Sequence, residues 1–240
     1  MRRSLLTAVL LIASVARAEG PPAPAPPSPA EVLRKILRNN DGFVSTHDGT
    51  YFAPFRDQQH PLATVVGCSD SRFHTPALDE HADGEIFVVR NIGNQLDLAA
   101  GSVAYGIRHL HTPVLLIAGH VQCGAVKAAM ADYSAEPASI RRELNGLHLS
   151  IAKAAPGGNA DERWRASVMA NVHQQVADAL QEFGEEVRSG TLLIVGAVYD
   201  FRDELGKGAG RLVVVNVNGE TDAARIAANP IMKSALAAGH

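Results

Sequence analysis

The sequence predicts an α/β protein with a mostly parallel central sheet of about five strands, an antiparallel last strand and helices on both faces. Three observations predict it. Near-continuous apolar runs such as Leu192-Leu193-Ile194-Val195 suit strands buried on both faces. These runs alternate with segments of helical period, the pattern of right-handed crossover units. The last two runs lie too close together for a helical crossover, so they pair antiparallel.

The elements follow in order. Met1-Arg2-Arg3, an apolar stretch over 5–15 and the Ala16-Arg17-Ala18 site follow the plan of a secretory signal peptide. Residues 1–18 are therefore expected to be cleaved, which makes the mature protein periplasmic or secreted. That stretch is short for a membrane span, and no other is long and apolar enough, so no membrane association is expected after cleavage. Residues 19–29 hold Pro21, Pro22, Pro24, Pro26, Pro27 and Pro29 and read as an extended spacer. A single domain is expected over 30–240. Ser28-Pro29-Ala30-Glu31 marks a helix start, with Ser28 as N-cap and Glu31 closing a capping box. That helix carries Val32, Leu33, Ile36 and Leu37 on one face.

Strands are predicted near 63–67, 86–90, 114–119, 192–199 and 211–217. Helices are predicted over about 97–110, 122–131, 138–153 and 163–183. The last is marked by Trp164, Val168, Val172, Val176 and Leu180 at every fourth residue. The glycine-rich loop 206–210 lacks phosphate-loop spacing and leads into a strand, which excludes a nucleotide-binding reading. Composition is ordinary for a globular chain of 240 residues, with 46% hydrophobic and 20% charged. Cleavage removes Arg2, Arg3 and Arg17 and no acid, moving the formal net charge from −3 to −6. Such a chain is a poor ligand for nucleic acid or anionic lipid.

The chain has 2 cysteines, and each lies in a motif rich in metal-binding chemistry. One motif is Cys68-Ser69-Asp70-Ser71-Arg72. The other is His120-Val121-Gln122-Cys123, followed by Gly124. Two thiolates and an imidazole form a set that zinc favours, with a fourth position left for water or a carboxylate. Both motifs begin where an apolar strand ends, which is where open α/β sheets place their ligands. In an exported protein an even pair of cysteines also suits a disulfide. The neighbouring His120, Asp70 and Arg72 favour metal, because a structural disulfide requires none of them. An Asp70–Arg72 ion pair would keep the carboxylate ionised and oriented. If the pair opened, Asp70 would be free to fill the fourth metal position.

Cys-x-Asp-x-Arg, followed about fifty residues later by His-x-x-Cys, resembles the zinc signature of the β-class carbonic anhydrases. The resemblance extends through Gln59-His60-Pro61, through Phe87-Val88-Val89-Arg90-Asn91-Ile92-Gly93-Asn94, and through Gly196-Ala197-Val198-Tyr199-Asp200. It covers roughly residues 30–220. It implies zinc-dependent, reversible hydration of carbon dioxide to bicarbonate and a proton. It assigns Zn2+ to Cys68, His120 and Cys123, with Asp70 as fourth ligand when the site shuts. Asp70 and Arg72 become the catalytic pair that orients zinc-bound hydroxide.

The resemblance also implies a substrate pocket. Gln59 would orient substrate, and Phe87 and Tyr105 would wall the pocket, with Tyr105 reaching in from a partner subunit. The Gly124 N–H would hold a substrate oxygen. A homodimer or homotetramer follows, with the N-terminal helix packed across a partner. Carbon disulfide or carbonyl sulfide hydrolysis on the same scaffold stays open as an alternative. Where some bacterial members carry a tryptophan three residues before the first zinc cysteine, this chain has Val65. A regulatory bicarbonate site on Arg90 and Tyr199 would then lack its indole. His47, His60, His74 and His81 fall in loops on the approach and are candidate proton relays.

Overall fold

A computed structural model of the chain describes residues 26–155 and 157–237. The expected signal peptide and residues 19–25 of the spacer lie outside the described residues. The chain forms two compact units, one ending at Phe52 and one beginning at Ala53.

In the first unit, helix α1 (Pro29–Thr46) starts on the predicted capping box. Ser28 Oγ accepts the Glu31 N–H at 3.4 Å, and the Glu31 carboxylate accepts the Ser28 N–H at 2.7 Å. The apolar face is present and uncovered, with Val32, Leu33, Ile36 and Leu37 between 42% and 58% exposed. A short helix, α2 (Gly49–Phe52), adds Tyr51 edge-on to His47, which stacks on Phe43.

The second unit is built on a five-stranded sheet in the order β2-β1-β3-β4-β5. Its strands are β1 (Ala63–Cys68), β2 (Ile86–Asn91), β3 (Val114–His120), β4 (Leu193–Asp200) and β5 (Arg211–Val217). The first four run parallel and β5 pairs antiparallel with β4, as predicted. Register decides where the motifs emerge. Cys68 pairs with Asn91, Gly67 with Ala118 and His120 with Tyr199, so both motifs leave the sheet at one carboxyl edge.

Alternation along β1 sends Val66 to one face and Val65 to the other. Val66 joins Leu115, Ile117, Ile194, Val103, Ile107 and Val176 in one core, while Val65 packs with Ala118 and Phe73. The predicted helix over 97–110 is three geometries in series. A 3₁₀ turn (Asp97–Ala99) leads into α3 (Ala100–Ala104) and then a π-helical turn (Tyr105–His109). The left-handed residue His111, at φ 57°, turns the chain into β3. Helix α4 (Gly124–Ala129) follows the second motif. The helix predicted over 138–153 breaks at Gly146 into α5 (Ala138–Asn145) and α6 (His148–Ala152).

Helix α7 (Ala160–Glu182) buries Trp164, Val168, Val172 and Val176, as its spacing requires, and leaves Leu180 half-buried. It lies close on the sheet because β3 and β4 carry glycine beneath it. A Cβ at Gly119 would stand 2.6 Å from Val172 Cγ2, and one at Gly196 would stand 2.8 Å from Val172 Cγ1. Short helices α8 (Gly184–Arg188), α9 (Ala223–Ala228) and α10 (Pro230–Ala237) complete the described chain. Among the described residues, no helix is long and apolar enough to cross a membrane.

Candidate metal centre

Cys68 ends β1, His120 ends β3 and Cys123 caps α4, so the sheet edge and one helix start present three donors to one point. The chain returns from His120 to Cys123 through Gln122, a non-glycine residue at φ 56°. Such a backbone is strained and needs support. Two contacts supply it. Gln122 Nε2 donates to Glu204 Oε1 at 2.7 Å, and Gln122 O accepts from Arg72 Nη2 at 3.1 Å.

The donor atoms of Cys68, His120 and Cys123 lie within 4.8 Å of one another, and all three residues are buried. The sulfurs are 4.0 Å apart and the cysteines are free, so they are not joined as a disulfide. Tetrahedral zinc with bonds of about 2.3 Å to sulfur would separate two sulfurs by about 3.8 Å. The observed gap fits it.

The histidine fits as well. His120 Nδ1 lies 2.8 Å from Val121 O. An N–H donated there leaves the lone pair on Nε2, which is buried and has no hydrogen-bond partner. An orphaned acceptor inside the protein is costly unless something fills it. Backbone N–H groups also point at the sulfurs, from Gly93 to Cys68 and from Val126 and Ala125 to Cys123. The hydrogen bond between the two cysteines lowers the pKa of Cys68 and, together with burial, raises that of Cys123. Metal binding would release any thiol proton still held there.

Beside the donors stands the Asp70–Arg72 pair. Arg72 Nε donates to Asp70 Oδ1 at 2.9 Å and Nη2 to Oδ2 at 2.7 Å, a two-pronged contact. The Arg72 backbone N–H adds a third bond to Oδ1 at 2.9 Å. These bonds hold the Asp70 carboxyl well below the usual carboxylate range. Asp70 Oδ2 is 3.8 Å from His120 Nε2, adjacent to the donor set but bonded to arginine.

Three residues around the site exceed what the sequence suggested. Arg90, read as an anion partner, instead donates to backbone carbonyls: Nε to Cys68 O at 2.9 Å, and Nη2 to Asp70 O and Phe73 O at 2.8 Å each. It pins the turn that carries Cys68 and Asp70. Trp164, read as one position of an apolar stripe, donates Nε1 to Cys123 O at 2.9 Å. Phe201 lies under the Arg72 guanidinium, with Cζ 4.7 Å from the ring centroid. All three reach the motifs from distant sequence, so local spacing carries no signal for them.

The predicted pocket residues gather elsewhere in the chain. Gln59 and Tyr105 line a cavity of about 420 Å³ together with His60 and His109, and the Phe87 ring is 6.0 Å from that of Tyr105. Phe87 pairs with Thr64, four residues before Cys68, which puts this cluster about 13 Å along the strand from the metal donors. Tyr105 is 45% exposed and therefore not a core residue. Gly124 begins α4, and a Cβ there would meet nothing within 4 Å.

Fold and donor set together define an α/β metalloprotein with its centre at the carboxyl edge of a parallel sheet. The family model described as carbonic anhydrase matches residues 63–208. Carbonic anhydrase 2 of Mycobacterium tuberculosis is 31% identical over 193 residues, covering 73% of this chain and 90% of the relative. The carbonic anhydrase of Pseudomonas aeruginosa is 30% identical over 197 residues, covering 70% and 83%. Among solved structures, the Coccomyxa β-carbonic anhydrase in complex with acetazolamide superposes with a TM-score of 0.64 at 24% identity, covering 87% of this chain and 96% of that one. A tetrameric β-carbonic anhydrase of Sordaria macrospora gives 0.65 at 21% identity, covering 78% and 98%. The chain belongs to the β-class carbonic anhydrase family. Zinc is the cofactor of that family, and the Cys-His-Cys set suits it.

Proposed function

We propose that this enzyme interconverts carbon dioxide and bicarbonate, with Cys68, His120 and Cys123 holding zinc and with Asp70 and Arg72 controlling the fourth position. One observation carries the reading. A buried, unpartnered His120 Nε2 faces two free sulfurs, beside a carboxylate that an arginine holds in place. Zinc bound there would supply a Lewis acid that brings the pKa of water toward neutrality. Two thiolates and a neutral histidine cancel its charge, so the surrounding groups have more to contribute than in an all-histidine site.

Asp70 is the acceptor. Kept ionised by Arg72, it takes the hydrogen bond of the reacting water and aims the oxygen lone pair at the substrate carbon. Arg72 fixes that orientation with its fork. The Gly124 N–H, at the start of α4, receives a substrate oxygen. Phe87, level with Thr64 of β1, and the neighbouring Tyr105 and Gln59 lie too far from the donor set to wall the site of their own chain, which supports a pocket completed by a partner subunit. The uncovered apolar face of α1 supports the same homodimer or homotetramer. The signal-peptide plan of residues 1–18 supports an exported enzyme, and the acidic charge of the mature chain supports one free of membrane and nucleic acid.

The test is stopped-flow hydration of carbon dioxide before and after zinc removal by a chelator. Hydration is expected to vanish on stripping and return when zinc is restored. Equal rates with and without zinc would overturn the reading.

A further inference from the structure

We propose that Phe201 is a positioning residue for the Asp70–Arg72 pair: its ring braces the Arg72 guanidinium and so keeps the Asp70 carboxylate off the metal. The inference rests on the role proposed above for that pair. Arg72 spends its edge on hydrogen bonds to Asp70 and to Gln122 O, which leaves its faces unsupported by them. One face lies over Phe201 at 4.7 Å, where the negative face of the ring attracts the cation. The Arg72 side chain is 47% exposed, so without a wall on that face the fork can swing toward water. When it swings, Asp70 keeps only the Arg72 backbone N–H, and its Oδ2, 3.8 Å from His120 Nε2, is free to turn toward the donor set.

Phe201 is itself held firmly. It follows Asp200, the last residue of β4, whose fully buried carboxylate accepts N–H bonds from Arg202, Glu204 and Leu205 at 3.1, 3.0 and 2.7 Å. Those bonds fold the chain back immediately beyond Phe201. Glu204 then takes the Gln122 side-chain amide, tying this loop to the strained turn between two metal ligands. The ring also lies alongside His120, 6.2 Å away and inclined by 30°. A segment outside both cysteine motifs thus supports the carboxylate gate and a ligand together.

The test uses the cobalt-loaded full-length mature enzyme, in which visible absorption reports the fourth ligand and thiocyanate is the exchangeable probe. Phe201→Leu keeps apolar bulk but removes the ring face, and Phe201→Tyr keeps the ring. Phe201→Leu is expected to retain cobalt, to bind thiocyanate about fivefold more weakly and to lower kcat by a similar factor with KM unchanged. Phe201→Tyr should restore wild-type values. Arg72→Ala separates this inference from the reading beneath it. If Arg72→Ala changes the spectrum and blocks thiocyanate while Phe201→Leu matches wild type, the bracing role is wrong and the pair stands. If Arg72→Ala changes neither, the pair itself is wrong and the brace falls with it. Loss of cobalt in Phe201→Leu would make Phe201 a structural residue and overturn the proposal equally.

Discussion

Replacing Trp164 with Phe should destabilise the protein by about 2 kcal/mol, a figure that follows from two losses at one side chain. The indole is 9% exposed, and its Nε1 donates to Cys123 O at 2.9 Å. That carbonyl also accepts the Lys127 N–H at 3.1 Å, so the substitution removes one bond without leaving the oxygen unpartnered. The hydrogen bond is then worth about 1 kcal/mol. Narrowing the ring leaves unfilled space in the core around Val168 and Val126 and weakens the Lys127 contact, 4.6 Å from the ring centroid, for about 1 kcal/mol more. Urea unfolding of the metal-free protein, followed by far-UV circular dichroism, should show a lower midpoint with an unchanged slope. Because that carbonyl belongs to Cys123, proposed above as a zinc ligand, zinc should also be lost more readily to a competing chelator. A stability change below about 0.5 kcal/mol, within the range of an ordinary surface substitution, would refute this view of Trp164.

Two further outcomes follow from the residues beside the donors. Asp70→Asn should keep its zinc, since three ligands persist, yet lose hydration activity by about a hundred- to ten-thousand-fold in stopped-flow assays; a normal rate would remove Asp70 from the mechanism. Bicarbonate should inhibit only as an ordinary product, because Val65 offers no indole N–H and Arg90 is committed to the carbonyls of Cys68, Asp70 and Phe73. Steep, cooperative inhibition in steady-state kinetics would contradict that.

What the sequence made legible follows from how local each signal is. A strand buried on both faces must be apolar throughout, so 114–119 and 192–199 announce themselves and the cysteine motifs at strand ends are placed with them. The capping box at Ser28 and Glu31 is equally local and forms as read. The helix over 97–110 is different. Its change to a π-helical turn at Tyr105–His109 depends on packing against the sheet, which no apolar period reveals. Asn171 and Gln175 sit buried on α7 because they meet Gly93 O and the Leu96 N–H, partners 78 and 79 residues away. The site divides along the same line. Cys68, Asp70, Arg72, His120 and Cys123 stand in two short motifs, and the chain brings them together. Arg90, Trp164 and Phe201 act on those motifs only through the tertiary fold. Asp222 and Pro230, at the starts of α9 and α10, are local start signals that offered a route to the helices after β5.

The ligand set is tested most directly by the zinc content of purified Cys123→Ser against the wild-type protein. The wild type should hold about one zinc per chain in a three-donor site of this kind. The variant should hold almost none, since a serine hydroxyl cannot replace a buried thiolate 4.0 Å from Cys68 Sγ. Stoichiometric zinc retained in folded Cys123→Ser would contradict the assignment of Cys68, His120 and Cys123 as the metal ligands.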